Sequence, residues 1–196
     1  MIITSRIAKN NYDNLSNRDT KLSRDVRDGK LTKIINGLYE TNPNTSSYLL
    51  ASSIYGPSYI SFEYALSVYG LIPERVNVVT CATYNKKKSK KYDTPFGTYT
   101  YRDIPPLAYP EEVLLKQEGD YSYQIASREK AVCDKLYTLS PLKNYTNLKI
   151  MLFSDLRFDE EEFYKLDVDK IEKLSELYHS TNIKLLATYL RRDKHE

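Results

Sequence analysis

The chain has 196 residues, a net charge of +3 and ordinary fractions of hydrophobic (41%) and charged (28%) residues. A charge of this size does not by itself demand a nucleic-acid partner, no apolar run approaches the ~20 residues that span a bilayer, and two cysteines make no disulfide framework. No apolar signal-peptide core follows the first residue. We therefore expect a globular, cytoplasmic protein with reduced thiols and no membrane partner.

The amino-terminal segment predicts two helices and a hairpin. Residues 5–12 suit a short helix, and residues 17–28 suit a longer one with a capping asparagine at its start. Gly29 is placed to end the second helix. A β-prone run at residues 31–35 leads into Asn36-Gly37, a strong signal for a two-residue hairpin turn. Helix, glycine stop and hairpin follow one another as at the end of a winged helix-turn-helix.

A polar, turn-rich stretch at residues 41–47 predicts a linker to a second unit. A helix with one apolar face is predicted over residues 48–55. A Gly-Pro turn then precedes a helix-like run at residues 60–68, which Gly70 stops.

The remaining sequence mixes strands with helices. Strands are predicted over residues 76–81, 97–102 and 121–126, and helices over residues 127–139, 158–164, 168–179 and 183–191. The predicted fold class is α+β, with a small winged helix-turn-helix at residues 1–42 and a mixed α/β domain at residues 48–196 that ends in helices.

Several short strings, taken in order over roughly residues 20–140, point to a known family. They are Gly29-Lys30-Leu31, Asn36-Gly37-Leu38-Tyr39, Gly56-Pro57-Ser58-Tyr59-Ile60-Ser61, Ala65-Leu66, Tyr69-Gly70-Leu71-Ile72-Pro73, Val78-Val79-Thr80, Phe96-Gly97, Tyr101-Arg102, and Ile125-Ala126-Ser127-Arg128-Glu129-Lys130-Ala131 with Asp134. In these strings the chain resembles the AbiEi family, the antitoxin half of bacterial type IV toxin–antitoxin (abortive infection) systems.

The resemblance implies an amino-terminal winged helix that binds operator DNA and represses its own operon. It also implies a carboxyl-terminal domain with antitoxin activity against a nucleotidyltransferase-like toxin, without a stable complex between the two proteins. The chain departs from the family in one respect, because it offers two amino-terminal helices where the family usually has three.

The candidate DNA contacts lie in the segment that carries the excess positive charge. The first 40 residues hold eight Lys and Arg against five Asp and Glu. Arginine reads guanine edges, and lysine mostly contacts phosphate. The plainer alternative is a solvated helix that Asp19, Asp25 and Asp28 neutralise. The candidates are Arg18, Lys21, Arg24 and Arg27 on the second helix, and Lys30, Lys33 and Asn36 on or beside the hairpin.

A lysine run predicts a second, weaker contact with nucleic acid. Such a run attracts phosphate with an affinity that falls in salt, and Tyr84 and Tyr92 beside it offer stacking surfaces for single strands. The alternative is a solvated basic loop. The run comprises Lys86, Lys87, Lys88, Lys90 and Lys91.

Enzymatic motifs are not found in the sequence. No glycine-rich phosphate loop, metal-ligand pair or nucleophile elbow occurs, and Glu63, Glu129 and Asp134 favour capping or hydrogen-bonding roles over catalysis. We predict an operator-binding antitoxin and autorepressor that is not an enzyme and uses no cofactor or metal. The alternatives are a non-catalytic RNA- or protein-interaction module and, less favoured, a nucleotide-handling enzyme with unrecognised carboxylates.

Overall fold

The computed structural model describes residues 1–12 and 16–193 and confirms a mixed α/β fold. The two predicted helices and the hairpin of the amino-terminal segment are present. A short strand, which is not among the predicted elements, precedes them. The five elements are β1 (Ile2–Thr4), α1 (Ser5–Asn10), α2 (Arg18–Arg27), β2 (Thr32–Ile35) and β3 (Leu38–Glu40).

The three amino-terminal strands form an antiparallel sheet in the order β1-β3-β2. On one face the register partners Ile3 and Tyr39 pack with Leu22 of α2 in a small apolar cluster. Ile34 and Leu38 instead pack in the large core of the second unit. The small sheet therefore lies between α1–α2 on one side and the rest of the protein on the other.

The second unit is built on a six-stranded mixed sheet. Its strand order is β6-β7-β5-β4-β9-β8, in which β5 runs parallel to β7 and β4 parallel to β9, and the other neighbours are antiparallel. The strands are β4 (Ser58–Ile60), β5 (Val79–Tyr84), β6 (Lys90–Thr94), β7 (Gly97–Ile104), β8 (Val113–Glu118) and β9 (Tyr121–Ala126).

Helices pack over this sheet and complete the core. Ala131, Val132 and Leu136 of α5 are fully buried between the sheet and the last helices. Among the described residues, no helix is both long and apolar enough to cross a membrane. The helices are a 3-10 turn (Ser47–Leu50), α3 (Ala51–Ile54), α4 (Phe62–Val68), α5 (Arg128–Tyr137), α6 (Tyr145–Lys149) with a π-helical continuation (Ile150–Asp155), α7 (Glu160–Tyr164), α8 (Val168–Tyr178) and α9 (Thr181–Asp193).

The sequence prediction fails for three strands of the large sheet. Residues 58–60 form β4, and α4 begins only at Phe62, because Tyr59 and Ile60 are buried and pair with β5. The predicted basic loop continues into β6 at Lys90. Strand β8 is mostly exposed, so it lacks the alternation that reveals a half-buried strand.

The two units meet at a buried carboxylate. Glu40 at the end of β3 is fully buried and accepts hydrogen bonds from the Tyr121 hydroxyl of β9 at 2.9 Å and the Asn42 amide at 3.0 Å. Because Ile34 also reaches the large core, the division at residues 1–42 and 48–196 stays a prediction. Its last boundary, residue 196, lies outside the described residues.

Candidate nucleic-acid interface

Helix α2 is the element that carries most of the candidate contacts. The Asn17 side chain accepts a hydrogen bond from the Thr20 amide at 3.1 Å, as its predicted N-cap role requires. At the other end Gly29 adopts a φ of +73°, which ends the helix in a conformation that glycine reaches without strain. Leu22 is buried and Val26 half-buried, and both pack toward the small cluster, so the opposite side of α2 faces solvent.

The four cations of α2 do not share one face. A step of three residues rotates a side chain by about 60° around an α-helix, so Arg18 and Arg27 come to lie on opposite sides. Arg24 and Arg27 are exposed on the solvent face. Thr20 and Ser23, which the sequence analysis did not select, lie on that face as well. The solvent face of α2 therefore presents two guanidinium groups and two hydroxyls.

Lys21 occupies a different environment from the one predicted for a DNA contact. Its ammonium forms an ion pair with the buried carboxylate of Asp25 and lies 5.4 Å from the centre of the Tyr12 ring. Its side chain is only 29% exposed. In this structure Lys21 supports the small unit, and its predicted contact with DNA stays a prediction.

The acidic residues of α2 are engaged with neighbouring cations. Asp19 pairs with Lys9 of α1, and Asp28 lies 3.5 Å from the side chain of Arg27. Asp25 points inward and is 5% exposed. One alternative was that Asp19, Asp25 and Asp28 neutralise the solvent face of α2. Asp25 does not fit this alternative, because its carboxylate is buried and not on the surface.

Asp25 joins the parts of the small unit. It accepts a hydrogen bond from the Tyr12 hydroxyl at 2.5 Å, and the Lys30 ammonium lies 3.9 Å from it. The hydrogen bond from Lys21, followed by that from Tyr12, lowers the pKa of Asp25. Burial, reinforced by Asp25, raises the pKa of Tyr12 to about 12. Asp25 thus fixes the orientation of α2 relative to α1 and to the chain that enters the hairpin.

The β2–β3 hairpin lies beside α2. Lys33 is exposed and, with Ser23 and Val26, lines a surface depression of about 310 Å³. Asn36 and Gly37 form the turn at the tip, both exposed, and the Gly37 carbonyl accepts a hydrogen bond from the Ser5 amide at 2.8 Å. The hairpin is therefore held against the start of α1, and its lysine lies across the depression from the helix.

The lysine run is hydrogen-bonded to the large sheet, and its last two lysines belong to β6. Asp103 accepts a hydrogen bond from the Thr83 hydroxyl at 2.6 Å and another from the Lys87 amide, so it anchors the loop to β5 and β7. Lys86 lies 5.0 Å above the Tyr55 ring, and Lys91 pairs with Asp93 at 3.2 Å.

The exposed part of this run is smaller than the sequence suggests. Lys87, Lys88 and Lys90 are exposed without an ion pair among the described residues. Tyr84 is 43% exposed and its ring has an edge contact with Tyr109 at 5.3 Å, whereas Tyr92 is half-buried and its ring contacts two tyrosines. Of the two predicted stacking surfaces, only Tyr84 is therefore well placed to meet a base.

A second polar cluster lies inside the second unit. Asp134 accepts hydrogen bonds from the hydroxyls of Tyr59 (2.9 Å), Ser61 (2.5 Å) and Tyr178. The Lys130 ammonium lies 3.9 Å from this carboxylate and donates to the Ala108 carbonyl. Burial raises the pKa of Asp134 and lowers that of Lys130, and their ion pair opposes both changes.

This buried cluster has no contact with solvent, because both charged side chains are fully enclosed. A substrate therefore has no route to it in this structure, and its geometry is that of a core network. The hydrogen-bonding role predicted for Asp134 is confirmed. Lys130 and the two tyrosines were not predicted as its partners, since a lysine four residues from an acid on a helix usually indicates a surface pair.

The other two acidic candidates are also in structural contacts. Glu129 accepts a hydrogen bond from the Asp167 amide at 3.1 Å, which joins α5 to the start of α8. Glu63 pairs with Lys135 at 2.6 Å. Among the described residues, no three His, Cys, Asp or Glu side chains converge on a common point that could hold a metal ion.

Comparison of the sequence with protein-family models gives no match, and comparison with curated proteins gives none either.

Proposed function

We propose that this protein binds double-stranded DNA through α2 and the β2–β3 hairpin, and that it acts as a transcriptional repressor. The observation that carries the proposal is the solvent face of α2, where Arg24 and Arg27 stand beside two hydroxyl residues while Asp25 is turned into the unit. The order strand, helix, helix, hairpin supports a winged helix-turn-helix in which α2 is the recognition helix.

The dimensions of α2 suit the major groove. A helix of ten residues is about 15 Å long, and the major groove of B-DNA admits an α-helix. Arginines read guanine there in a bidentate manner, and Thr and Ser hydroxyls bond to bases or phosphates. Arg24 and Arg27 are proposed as base or phosphate contacts, and Thr20 and Ser23 extend the predicted set.

The hairpin is proposed as the wing that contacts the DNA backbone. Lys30, Lys33 and Asn36 are all exposed, and lysine side chains meet phosphate as point charges. Lys30 is also 3.9 Å from Asp25, so we expect it to contribute less than Lys33.

The antitoxin role is proposed on the family resemblance. The protein would repress its own operon and counter a nucleotidyltransferase-like toxin without forming a stable complex with it. A repressor of a bacterial operon works in the cytoplasm, and that location belongs to the proposal. Co-expression with the adjacent open reading frame tests this part, since rescue of growth supports it and unchanged toxicity contradicts it.

A binding assay with a charge-matched control tests the DNA proposal. The probe is fluorescent duplex DNA from upstream of the protein's own gene, and the comparison is R24A/R27A against K143A/K173A, which removes the same charge from exposed lysines elsewhere. We expect the first variant to lose affinity at least about 30-fold, because two specific arginine contacts at about 1–3 kcal/mol each sum to about 2–6 kcal/mol. We expect the control to change little.

The alternative function, an RNA- or protein-interaction module, predicts another result in the same assay. If R24A/R27A binds duplex as wild type does while K87A/K88A loses binding to single-stranded RNA, the lysine run is the nucleic-acid surface. That outcome would remove α2 from the proposed interface.

A further inference from the structure

A cavity of about 210 Å³ lies where the 3-10 turn and α4 meet β4 and β9 of the large sheet. It is separate from the proposed DNA interface and shares no residue with it. Ile60 and Ile125 are buried and form its floor, whereas Val68 is 57% exposed and marks its opening to solvent. The other three lining residues are Tyr48, Tyr64 and Tyr123.

These three tyrosines are half-buried and form one continuous wall of the cavity. The ring centre of Tyr48 lies 5.2 Å from that of Tyr123, at an interplanar angle of 62°, and 6.5 Å from that of Tyr64, at 42°. A flat base stacks parallel to an aromatic ring, and rings at these angles cannot all be parallel to one flat ligand. A rounded ligand can contact several angled rings at once, as quaternary ammonium groups do in aromatic cages.

Elsewhere in this protein tyrosine rings already pair with cations. Lys86 lies 5.0 Å from the centre of the Tyr55 ring, and Arg192 lies 5.3 Å from that of Tyr145. In the part of the chain that the structure describes, no Lys or Arg lies over any of the three rings of the cavity wall. The negative faces of these rings are therefore available to a cation from outside.

A carboxylate is bound to the same wall. The Tyr48 hydroxyl donates a hydrogen bond to Glu118 at 2.6 Å. That hydrogen bond raises the pKa of Tyr48, and burial, followed by the charge of Glu118, raises the pKa of Tyr123. Glu118 thus acts on two of the three rings and adds negative charge at the rim of the cavity.

Two exposed cations near the rim oppose this charge. Lys116 lies opposite Tyr123 in the β8–β9 ladder, so the two side chains share one face of the sheet. Burial raises the pKa of Tyr64, and Arg75 opposes that change. Neither cation donates a hydrogen bond to the cavity wall, whereas Glu118 accepts one. The two cations therefore limit the affinity for a cationic ligand, and they give a test of its sign.

We propose that this cavity binds a small organic cation of the quaternary ammonium class. The tyrosine rings contact its methyl groups, Glu118 balances its charge, and Ile60 and Ile125 pack beneath it. The volume suits a single head group, since an apolar cavity of about 150 Å³ holds one benzene molecule.

Choline and 3,3-dimethylbutan-1-ol test the proposal, because the two molecules have the same shape and only choline is charged. NMR titration of the ¹⁵N-labelled full-length protein measures both affinities. We expect choline to bind at least about 10-fold more tightly than its neutral isostere, because several ring faces attract the charge. Equal affinities, or no choline binding at the highest concentration reached, would overturn the proposal.

Substitutions in the wall locate the site. Y123L removes one ring and should weaken choline binding at least about 5-fold, whereas Y123F keeps the ring and should bind as wild type does. Y137L, at an exposed tyrosine of α5, is the control for loss of a tyrosine elsewhere. Thermal unfolding shows whether each variant is folded. A folded Y123L with wild-type affinity would place the binding elsewhere and overturn the proposal.

Substitutions at the rim establish the sign of the ligand. E118Q should weaken choline binding and K116Q should strengthen it, each by about 2- to 5-fold, because they change the local charge in opposite directions. Cytidine monophosphate is the flat, anionic comparison and should bind more weakly than choline. If it binds more tightly and K116Q abolishes that binding, the cavity is a nucleotide site and the proposal is wrong.

Discussion

Two of the polar networks among the described residues are alike in composition but differ in how close their charged side chains lie to the surface. In the small amino-terminal unit Asp25 gathers Lys21, Lys30 and a tyrosine, and the neighbouring arginines remain at the surface. In the second unit Asp134 gathers Lys130, two tyrosines and a serine, all of them buried.

The difference shows that a carboxylate with a lysine and tyrosines does not by itself indicate a functional site. Solvent exposure distinguishes a functional cluster from a structural one, because a substrate or binding partner must reach the charged groups. The buried network around Asp134 specifies a core, whereas the network around Asp25 orients a helix whose outer face is open to a ligand. Substitutions in each network distinguish a role in core stability from a role in orienting α2.

Breaking the buried network should have the largest effect on stability. D134N leaves the Lys130 ammonium buried without its anion, and we expect a loss of about 3–5 kcal/mol in the free energy of unfolding. The double variant K130M/D134N removes the buried cation as well and should recover part of that loss. Urea unfolding followed by circular dichroism measures both. A double variant as unstable as the sum of its single variants would contradict the role given to the ion pair.

Removing the charge of Asp25 should have a smaller and more local effect. We expect D25N to cost about 1–3 kcal/mol, because the hydrogen bonds of Tyr12 and Lys21 lose a buried charged acceptor. Hydrogen exchange of α2 amides reports this opening while the large core stays protected. D19N is the matched control, since the Asp19 side chain is 79% exposed and should matter little.

The same carboxylate predicts a pH dependence for the small unit. The pKa of Asp25 is lower in the folded state, so the unfolded state binds more protons as the pH falls below the ordinary Asp value of about 3.9. The stability that Asp25 contributes is therefore complete above that pH and is lost as the pH falls through its folded pKa. The protection factors of the α2 amides, which are corrected for the intrinsic exchange rate at each pH, should fall in this range in the wild type, and D25N should remove that component.

The junction between the units should show the smallest change. Y121F removes the hydroxyl that donates to Glu40 at 2.9 Å, and a lost hydrogen bond to a charged, buried group costs about 1.5–3 kcal/mol at most. Because Glu40 keeps its bond from the Asn42 amide at 3.0 Å, we expect about 1 kcal/mol. Thermal unfolding measures the shift. Y123F, on the same face of β9, is the control, and an equal effect of both variants would show that Tyr121 has no special role.

The junction also affects how the two-unit organisation is tested. Deleting the amino-terminal 40 residues would remove Ile34 from the large core and uncover the surface that it covers. Substitution of the exposed arginines of α2 avoids this problem, because Arg24 and Arg27 lie on its solvent face.

The sequence predicts those parts of the fold that local patterns specify. The Asn17 cap, the glycine after α2 and the Asn36-Gly37 turn are short-range signals, and all three appear in the structure. Strands β4, β6 and β8 are not predicted, because they form through pairing with neighbouring strands and not through a local sequence pattern. Strand β4 is too short for a periodic pattern, and the edge strands β6 and β8 face solvent along most of their length.

The candidate site is predictable to a similar extent. Charge spacing identified the helix and its arginines, but the rotation of about 60° per three residues separates Arg18 from Arg27. The inward position of Lys21 depends on Asp25, whose burial no local pattern shows. Thr20 and Ser23 are unremarkable in sequence and become candidates only once the solvent face of α2 is known.

The salt dependence of duplex binding tests the central claim most directly. The slope of log K against log salt concentration counts the phosphates that a protein neutralises, at about 0.9 per contact on duplex DNA. If Arg24 and Arg27 contact phosphates, R24A/R27A should lower the magnitude of that slope by about 1–2. If they read base edges, the variant should lose affinity with little change in slope. The control K143A/K173A should leave both quantities unchanged. An R24A/R27A variant with the wild-type slope and affinity would contradict the assignment of α2 as the DNA-binding helix.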